Sequence, residues 1–215
     1  MKRMKCKMFN DPLARERLER MGKLSGNERQ EMRQRIRGLK GFALGVVGVQ
    51  LRPYQLEAAN AVIESVYRRD GETFVILFAR QSGKDELIAN LILFLLARLS
   101  DKGTSIVCAQ PTFSPQTENA MQRLERRAFQ RHFFPYAGFH KQLGYMYSLL
   151  SSRVLYFSAD PSANVVGQTA DRLLIINEAQ DVRKGIYDKC FAPMAAAGNA
   201  TRLFSGTAWT GDTLL

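Results

Sequence analysis

A glycine–lysine pair lies between a short apolar run and a helical pattern, where a phosphate-binding loop would have to lie. The apolar run covers residues 73–78, and residues 79–84 follow it with the sequence Ala-Arg-Gln-Ser-Gly-Lys. Backbone N–H groups at the start of a helix bind anions because they lack partners within the helix. Gly83 would let the backbone approach a phosphate closely, and Lys84 would place a positive charge on the β- and γ-phosphates.

The strict Walker A pattern, GxxxxGK[ST], fails at two positions of this segment. Phe78 stands in place of the first glycine, and Asp85 stands in place of the serine or threonine that binds magnesium. The strand–turn–helix setting therefore supports the prediction more than the residue pattern does. A turn without a ligand is the alternative.

A second candidate segment is an apolar run that ends in polar side chains. Residues 173–176 have the pattern of a buried strand, and Asn177 and Glu178 follow them. Ligands of α/β sheets bind at the carboxyl ends of the strands, so this strand would deliver both side chains to the site. The usual pair at a Walker B strand is Asp-Glu, with the aspartate for magnesium and the glutamate for the attacking water. The alternative is a strand that ends in a polar turn.

Two weaker segments accompany these two. Residues 203–208 have the pattern of a strand that enters a turn of small residues, where a hydroxyl could sense the γ-phosphate. Residues 53–55 precede a helical pattern, and the amide of Gln55 carries a donor and an acceptor that could pair with the edge of adenine. Each segment by itself is better explained by a turn or a helix start that binds nothing.

The elements that would position these residues alternate between strands and helices. Strands are predicted at residues 73–78, 105–109, 173–176 and 201–204, the first three buried on both faces, and a hairpin at residues 145–149 and 154–157. Helices are predicted at residues 56–67, 85–100, 115–133 and 186–197, and residues 41–50 are expected to be an apolar linker. This order favours an α/β fold with a mostly parallel sheet flanked by helices.

Length and composition exclude several classes of protein. A chain of 215 residues with 46% hydrophobic and 24% charged residues has enough apolar mass for one globular domain. The three cysteines lie far apart, and neither histidine has a cysteine near it, which argues against a disulfide framework or a zinc site and fits a reducing cytosol. The longest apolar stretch, residues 87–99, is shorter than the roughly 20 residues that span a bilayer.

The positive charge is concentrated at the amino terminus. The formal net charge is +11, and residues 1–40 contain 13 lysines and arginines against 5 acidic residues. Such an excess favours a polyanionic partner, with nucleic acid first and an anionic membrane second. A solvated basic tail is the alternative. We expect residues 1–44 to form a basic, partly helical arm ahead of a domain at residues 45–215.

The four motifs, in this order, resemble the ATPase domain of the large terminase subunit, the packaging motor of tailed double-stranded DNA viruses. The matching segments are LRPYQ at residues 51–55, ARQSGK at 79–84, GQTADRLLIINEAQ at 167–180 and SGT at 205–207. The resemblance covers roughly residues 45–215. It implies an additional-strand, RecA-like P-loop fold, with ATP and Mg²⁺ as cofactors. It also implies ATP-driven translocation of duplex DNA into a prohead, at the portal in the cytoplasm of the infected host cell.

The resemblance also implies roles for individual residues. Lys84 would bind phosphates, Glu178 would be the catalytic carboxylate, and Arg80 would stabilise charge in the transition state. Gln55 would contact adenine, and Thr207 would couple hydrolysis to the movement of DNA. The ATP-binding residues expected on this basis are Gln55, Gln81, Ser82, Gly83, Lys84 and Asp85, and the candidate metal ligands are Asn177 and Asp85.

The chain departs from the pattern of this family at three places. Asn177 stands where the family has aspartate, and an amide binds magnesium without supplying a charge. Asp85, the second departure, stands where serine, threonine or another polar residue is expected. One interpretation is that the carboxylate has moved across the site, so that Asp85 partly replaces the missing charge; the rival is a weakened or inactive ATPase. The third departure is the family's C-terminal nuclease, which we expect to be absent because the chain ends at Leu215 without an acidic cluster.

Two other functions stay open at this point. One is a superfamily 2 helicase-like lobe, which shares the glutamine motif and the Walker pair. The other is a nucleic-acid-binding module whose nucleotide site no longer hydrolyses. The partners implied by the resemblance are double-stranded DNA, a portal ring, a small terminase subunit and sister subunits in a ring, with no membrane. An arginine acting on a neighbouring subunit could be Arg123, Arg126 or Arg127.

Overall fold

The computed structural model describes residues 37–207, except 132, 133, 135, 136, 162–164 and 166. Within this part of the chain, seven strands form one sheet in the order β1-β7-β6-β2-β5-β4-β3. The strands are β1 Thr73–Leu77, β2 Ser105–Gln110, β3 His140–Gln142, β4 Met146–Leu149, β5 Ser152–Ser158, β6 Leu173–Asn177 and β7 Thr201–Gly206. The neighbouring strands β1, β7, β6, β2 and β5 pair in parallel, whereas β4 pairs antiparallel with both β5 and β3. The predicted α/β class and the mostly parallel sheet are thus confirmed.

Helices cover both faces of this sheet. The helices are α1 Leu39–Phe42, α2 Pro53–Arg68, α3 Lys84–Arg98, α4 Glu118–Phe129, α5 Lys184–Ile186 and α6 Ala192–Ala196. Successive residues of β2 point to opposite sides: Ile106 packs with α1 to α4, and Val107 packs with the segment around α6. Each layer therefore buries one face of the sheet. None of the described helices is both long enough and apolar enough to cross a membrane.

Helix α3 lies in the interior and begins at Lys84. Its residues are buried almost without interruption from Leu87 to Leu96, as expected of a helix that is hydrophobic on every side. Gly83 precedes it with a φ of 86°, a left-handed conformation that favours glycine. Asp85 and Glu86 lie in the first turn, where negative charge is stabilised by the helix dipole.

The segment predicted to be an apolar linker, residues 41–50, is instead largely helical and packed in the core. Helix α1 continues into a π-helical turn at Ala43–Val47. Phe42 and Val47 are buried in the same cluster as α3. Because the chain folds back onto α3 here, its small apolar residues serve packing rather than flexibility.

Strand β1 is not buried on both faces, contrary to the prediction from its apolar sequence. It lies at the edge of the sheet and pairs only with β7 among the described strands. Phe74 and Ile76 are partly covered by the α2–α3 layer, whereas Val75 and Leu77 are each 52% exposed. An apolar run shows that a strand can be buried, but the position of the strand in the sheet decides whether it is.

Smaller differences concern the ends of helices and one strand. The helix predicted at residues 115–133 begins at Glu118, after a π-helical turn at Phe113–Thr117; its predicted last residues, 132 and 133, lie outside the described residues. The helix predicted at residues 186–197 is divided by a π-helical turn at Tyr187–Phe191. The hairpin of β4 and β5 is confirmed, and β3 extends it. Residues 1–36 of the predicted basic arm lie outside the described residues.

Candidate nucleotide-binding site

A cleft of about 710 Å³ lies at the carboxyl ends of the parallel strands. The turn between β1 and α3 and the first three residues of α3, together residues 79–86, form one wall. Glu178, Gln180 and Thr207 come from the ends of β6 and β7, and Arg123 comes from α4. This volume is in the range of pockets that bind small molecules and cofactors.

The turn between β1 and α3 has the shape of an anion-binding loop. Gln81 and Gly83 have positive φ angles of 60° and 86°. The hydroxyl oxygen of Ser82 is buried and has no hydrogen-bond partner among the described residues. A Cβ added at Gly83 would lie 2.7 Å from Nε2 of Gln55, so a side chain there would displace the support of the loop. A left-handed turn with an unpaired hydroxyl, followed by a helix start, fits a phosphate group.

Side chains at the start of α2 hold this loop through hydrogen bonds to its backbone. Nε2 of Gln55 donates to the carbonyl of Gly83 at 2.9 Å, and its Oε1 accepts from the backbone N–H of Arg52 at 2.8 Å. The Tyr54 hydroxyl donates to the carbonyl of Ser82 at 2.6 Å. Gln55 is buried, and its amide is engaged with the protein backbone. The adenine contact expected of Gln55 therefore stays a prediction, and Tyr54 is a loop-supporting residue that sequence reasoning missed, although it lies in the same motif.

An ion pair joins Lys84, at the start of α3, to Glu178, directly after β6. Nζ of Lys84 lies 2.7 Å from Oε1 of Glu178, and only 9% of Lys84 is exposed. Burial raises the pKa of Glu178, but the hydrogen bonds from Lys84 and Gln180 and the charges of Lys84 and Arg80 outweigh it and hold the pKa below its ordinary value. Glu178 is therefore ionised at neutral pH, as a carboxylate that orients water must be.

Gln180 connects the ends of β6 and β7. Its Nε2 donates to Oε2 of Glu178 at 2.8 Å, and its Oε1 accepts from the backbone N–H of Thr207 at 3.3 Å. Because one amide group contacts both strand ends, a movement of one strand end would be transmitted to the other. Sequence reasoning assigned no role to Gln180, and its position two residues after Glu178 was the available signal.

Asn177 lies at the centre of a buried polar network beside the ion pair. Its Nδ2 donates to Oδ1 of Asp85 at 2.9 Å and to Oε1 of Gln110 at 3.0 Å. Its Oδ1 accepts from the Ser205 hydroxyl at 2.8 Å. Asn177, Gln110 and Ser205 are 3%, 2% and 1% exposed. Sequence reasoning missed Gln110, a polar residue at the carboxyl end of β2. It noted Ser205 only as part of the SGT segment and did not anticipate its contact with Asn177.

The arginines proposed to act on a neighbouring subunit occupy different positions. Arg127 makes a bidentate ion pair with Glu86 of α3, at 2.7 and 2.8 Å. Arg123 lies 3.6 Å from the same carboxylate and lines the cleft. Arg80 also lines the cleft. Arg80 and Arg123 are thus placed to reach a bound anion within one subunit.

The site fits a metal ion that arrives with a nucleotide better than a free one. Among the described residues, no group of three or more His, Cys, Asp or Glu side chains is placed to hold a metal ion. Magnesium at nucleotide sites usually binds one or two carboxylates, together with phosphate oxygens and water. Asp85 lines the cleft beside Lys84 and can supply one such carboxylate.

By sequence, the chain matches no protein-family model and no curated protein. By structure, it is similar to the large terminase ATPase domain of Thermus phage P74-26, with a TM-score of 0.60, 18% identity, and coverage of 77% of this chain and 68% of that one. It is also similar to the large terminase of bacteriophage HK97, with a TM-score of 0.63, 18% identity and coverage of 80% and 37%. A third similar structure is the ADP complex of a large terminase from a thermophilic bacteriophage, with a TM-score of 0.52, 14% identity and coverage of 73% and 39%.

The sequence identity to these structures is 14–18%. The chain spans only 37% of the HK97 protein and 39% of the protein solved with ADP. At such identities, the likeness establishes the fold. The resemblance inferred from the motifs is confirmed at that level: this chain has the RecA-like P-loop fold of phage large terminase ATPase domains.

Proposed function

We propose that this chain is a terminase-type motor ATPase that hydrolyses Mg-ATP to translocate double-stranded DNA. The observation that carries the proposal is the ion pair between Lys84 and Glu178. Two motifs far apart in sequence bring a phosphate-binding cation and an ionised acid to 2.7 Å in one cleft. This is the pair of groups that phosphoryl transfer to water requires.

The binding step follows from the geometry of the loop. The N–H groups at the start of α3 and the side chain of Lys84 would hold the phosphates, and the hydroxyl of Ser82 would gain the partner that it lacks among the described residues. Phosphate oxygens compete with Glu178 for Lys84. Binding would therefore release the carboxylate of Glu178 from Lys84.

The hydrolytic step would then use the released carboxylate. Glu178 orients a water molecule for attack and accepts its proton, while Gln180 keeps the carboxylate in place. Arg80 supplies positive charge to the cleft as negative charge develops. Magnesium, when bound with the nucleotide, supplies further neutralisation of phosphate charge, and Asp85 and Asn177 are the candidate residues near it.

Coupling to DNA is assigned to the β7 end of the cleft. Thr207 lines the cleft, and its backbone N–H contacts the side chain that holds Glu178. A change at Glu178 would thus reach the segment after β7. Duplex DNA, a portal protein, a small terminase subunit and sister subunits in a ring are the partners proposed by likeness to phage large terminases. A host-cell cytoplasmic location is proposed on the same basis.

A hydrolysis-impaired nucleotide-binding module is the second candidate, and Asn177 is the observation that favours it. The position that usually carries the metal-binding aspartate holds a neutral amide, which is engaged in three hydrogen bonds. Such a chain would bind nucleotide and DNA without turnover. The two candidates differ in one measurable property, the rate of ATP hydrolysis.

The test is steady-state ATP hydrolysis with Mg²⁺, with and without duplex DNA. Lys84→Ala is expected to lower turnover by about 10²-fold or more, because it removes the charge that binds the phosphates. Lys102→Ala is the matched control, since Lys102 is an exposed lysine outside the cleft. Turnover that survives Lys84→Ala would contradict the ATPase proposal. Turnover that is absent from the unaltered chain, with nucleotide still bound, would favour the second candidate.

A further inference from the structure

We propose that Asp85 and Asn177 have exchanged the usual roles at the magnesium site. Asp85 is the carboxylate that binds the metal of a metal–nucleotide complex, and Asn177 is a positioning residue that holds Asp85. The inference rests on the proposed function, because it concerns the metal of the same cleft. The supporting geometry is the hydrogen bond of 2.9 Å between the two side chains.

The orientation of the Asn177 amide is determined by its neighbours. A carboxylate accepts hydrogen bonds and does not donate them when it is ionised. The NH₂ group of Asn177 must therefore face Asp85, and its oxygen faces the Ser205 hydroxyl on the opposite side. Gln110 occupies the second N–H donor. The oxygen through which Asn177 could bind a metal is thus turned away from Asp85 and is already bonded to β7.

The same geometry explains why one of the two positions is neutral. An aspartate at position 177 would bring a second carboxylate to about the distance that now separates Asn177 from Asp85. Two negative charges at that separation, in a buried network, repel each other strongly. An amide at 177 converts this repulsion into a hydrogen bond. The number of carboxylates near the loop is then the same as in a conventional site, with the charge on α3 instead of β6.

Asp85 is placed to use that charge. It is the second residue of α3, directly after Lys84, and it lines the cleft, whereas Asn177 is 3% exposed. Among the described residues, only Oδ1 of Asp85 makes a hydrogen bond, which leaves Oδ2 available to a cation. Of the two carboxylates on the wall at residues 79–86, Glu86 is paired with Arg127, whereas Asp85 has no ion pair among the described residues.

The experiment measures the Mg²⁺ affinity of the complex with a fluorescent ADP analogue, in four proteins: the unaltered chain, Asp85→Asn, Asn177→Asp and the double variant. Bound Mn²⁺, counted by electron paramagnetic resonance, gives a second readout that needs no turnover. Asp85→Asn is expected to weaken metal binding by about tenfold or more, while binding of the analogue without metal persists. In the double variant, the carboxylate returns to β6 and metal affinity recovers to within a few-fold of the unaltered chain.

The thermal midpoint in a metal chelator tests the repulsion directly. Asn177→Asp alone is expected to lower the midpoint, because two carboxylates then face each other. The same change made in the Asp85→Asn background should lower it much less. If Asp85→Asn does not fold, Asp85→Ala replaces it, and the second change should again restore metal binding.

Three results would overturn the exchange: Asp85→Asn with unaltered Mg²⁺ dependence, a double variant that binds metal no better than Asp85→Asn, or equal effects of Asn177→Asp in both backgrounds. Any of these leaves the proposed function intact if the unaltered chain hydrolyses ATP and Lys84→Ala still lowers that turnover by about 10²-fold or more. An unaltered chain that binds no analogue, with or without Mg²⁺, would overturn both proposals.

Discussion

Two neighbouring contacts join the start of α3 to the end of β6, and they differ in charge. Lys84 meets Glu178 in an ion pair, whereas the next residue of α3, Asp85, meets the preceding residue of β6, Asn177, in a hydrogen bond to a neutral amide. The first contact is balanced within itself and lies in the cleft. The second belongs to a buried network and leaves one negative charge uncompensated. On the proposals made above, an anion would open the balanced pair, and the unbalanced contact would attract a cation.

The largest effect should come from removing the charge on the acid of the ion pair. Glu178→Gln is expected to lower ATP turnover by about 10²-fold or more, since the amide cannot accept a proton from water. Nucleotide binding should persist or tighten, because Lys84 is no longer neutralised. Turnover and binding of a fluorescent ATP analogue, measured on the same preparation, check the two parts separately. Turnover within a few-fold of the unaltered chain would remove Glu178 from the catalytic role.

The next effect sharpens the contrast through stability. Asn177→Leu would leave Gln110 and Ser205 without their partner in a buried network, at a cost of about 3 kcal/mol in the free energy of unfolding. Glu178→Gln, at the more exposed contact, should change that free energy by less than about 1 kcal/mol. Urea unfolding of both variants measures the difference. Equal losses would show that the two contacts do not differ as described.

The smallest effect is a pH dependence confined to the ion pair. The pKa of Glu178 is lowered from its ordinary value of 4.5, so the stability from this pair is present above that pH and is lost as the pH falls through the folded-state pKa. The difference in the free energy of unfolding between the unaltered chain and Glu178→Gln, measured by urea unfolding, should therefore shrink between about pH 7 and about pH 3. The expected change is less than about 1 kcal/mol. A difference that grows on acidification would contradict the lowered pKa.

The two contacts were not equally predictable from the sequence. Lys84 and Glu178 each lie in a recognisable motif that follows a parallel strand. Because ligands of such sheets bind at the carboxyl ends of the strands, the sequence alone predicts that the two residues lie close together. Gln110 lies in no motif, and the SGT segment that contains Ser205 does not predict a contact with Asn177. Their role depends on β2 and β7 flanking β6, which is a matter of strand order.

Strand order also explains the prediction that failed at β1. An apolar run of five or six residues has the same pattern at the centre of a sheet and at its edge. Strand β6 lies between β7 and β2 and is buried throughout, whereas β1 has one neighbour and exposes Val75 and Leu77. The prediction of a linker at residues 41–50 was wrong for a related reason. Whether a short apolar segment is a linker or part of the core depends on what it packs against.

The sequence by itself determined the α/β class, the strand–turn–helix segment around Lys84 and the position of Glu178 at the end of β6, because these follow from local hydrophobic patterns and from residue types at fixed spacing. Only the tertiary structure decided that Asn177 contacts Asp85 and which way its amide faces. The same is true of the contact between Gln55 and the backbone of Gly83. Local pattern fixes what each segment can form. Hydrogen bonds and charge pairs between segments depend on distances that only the packed chain defines.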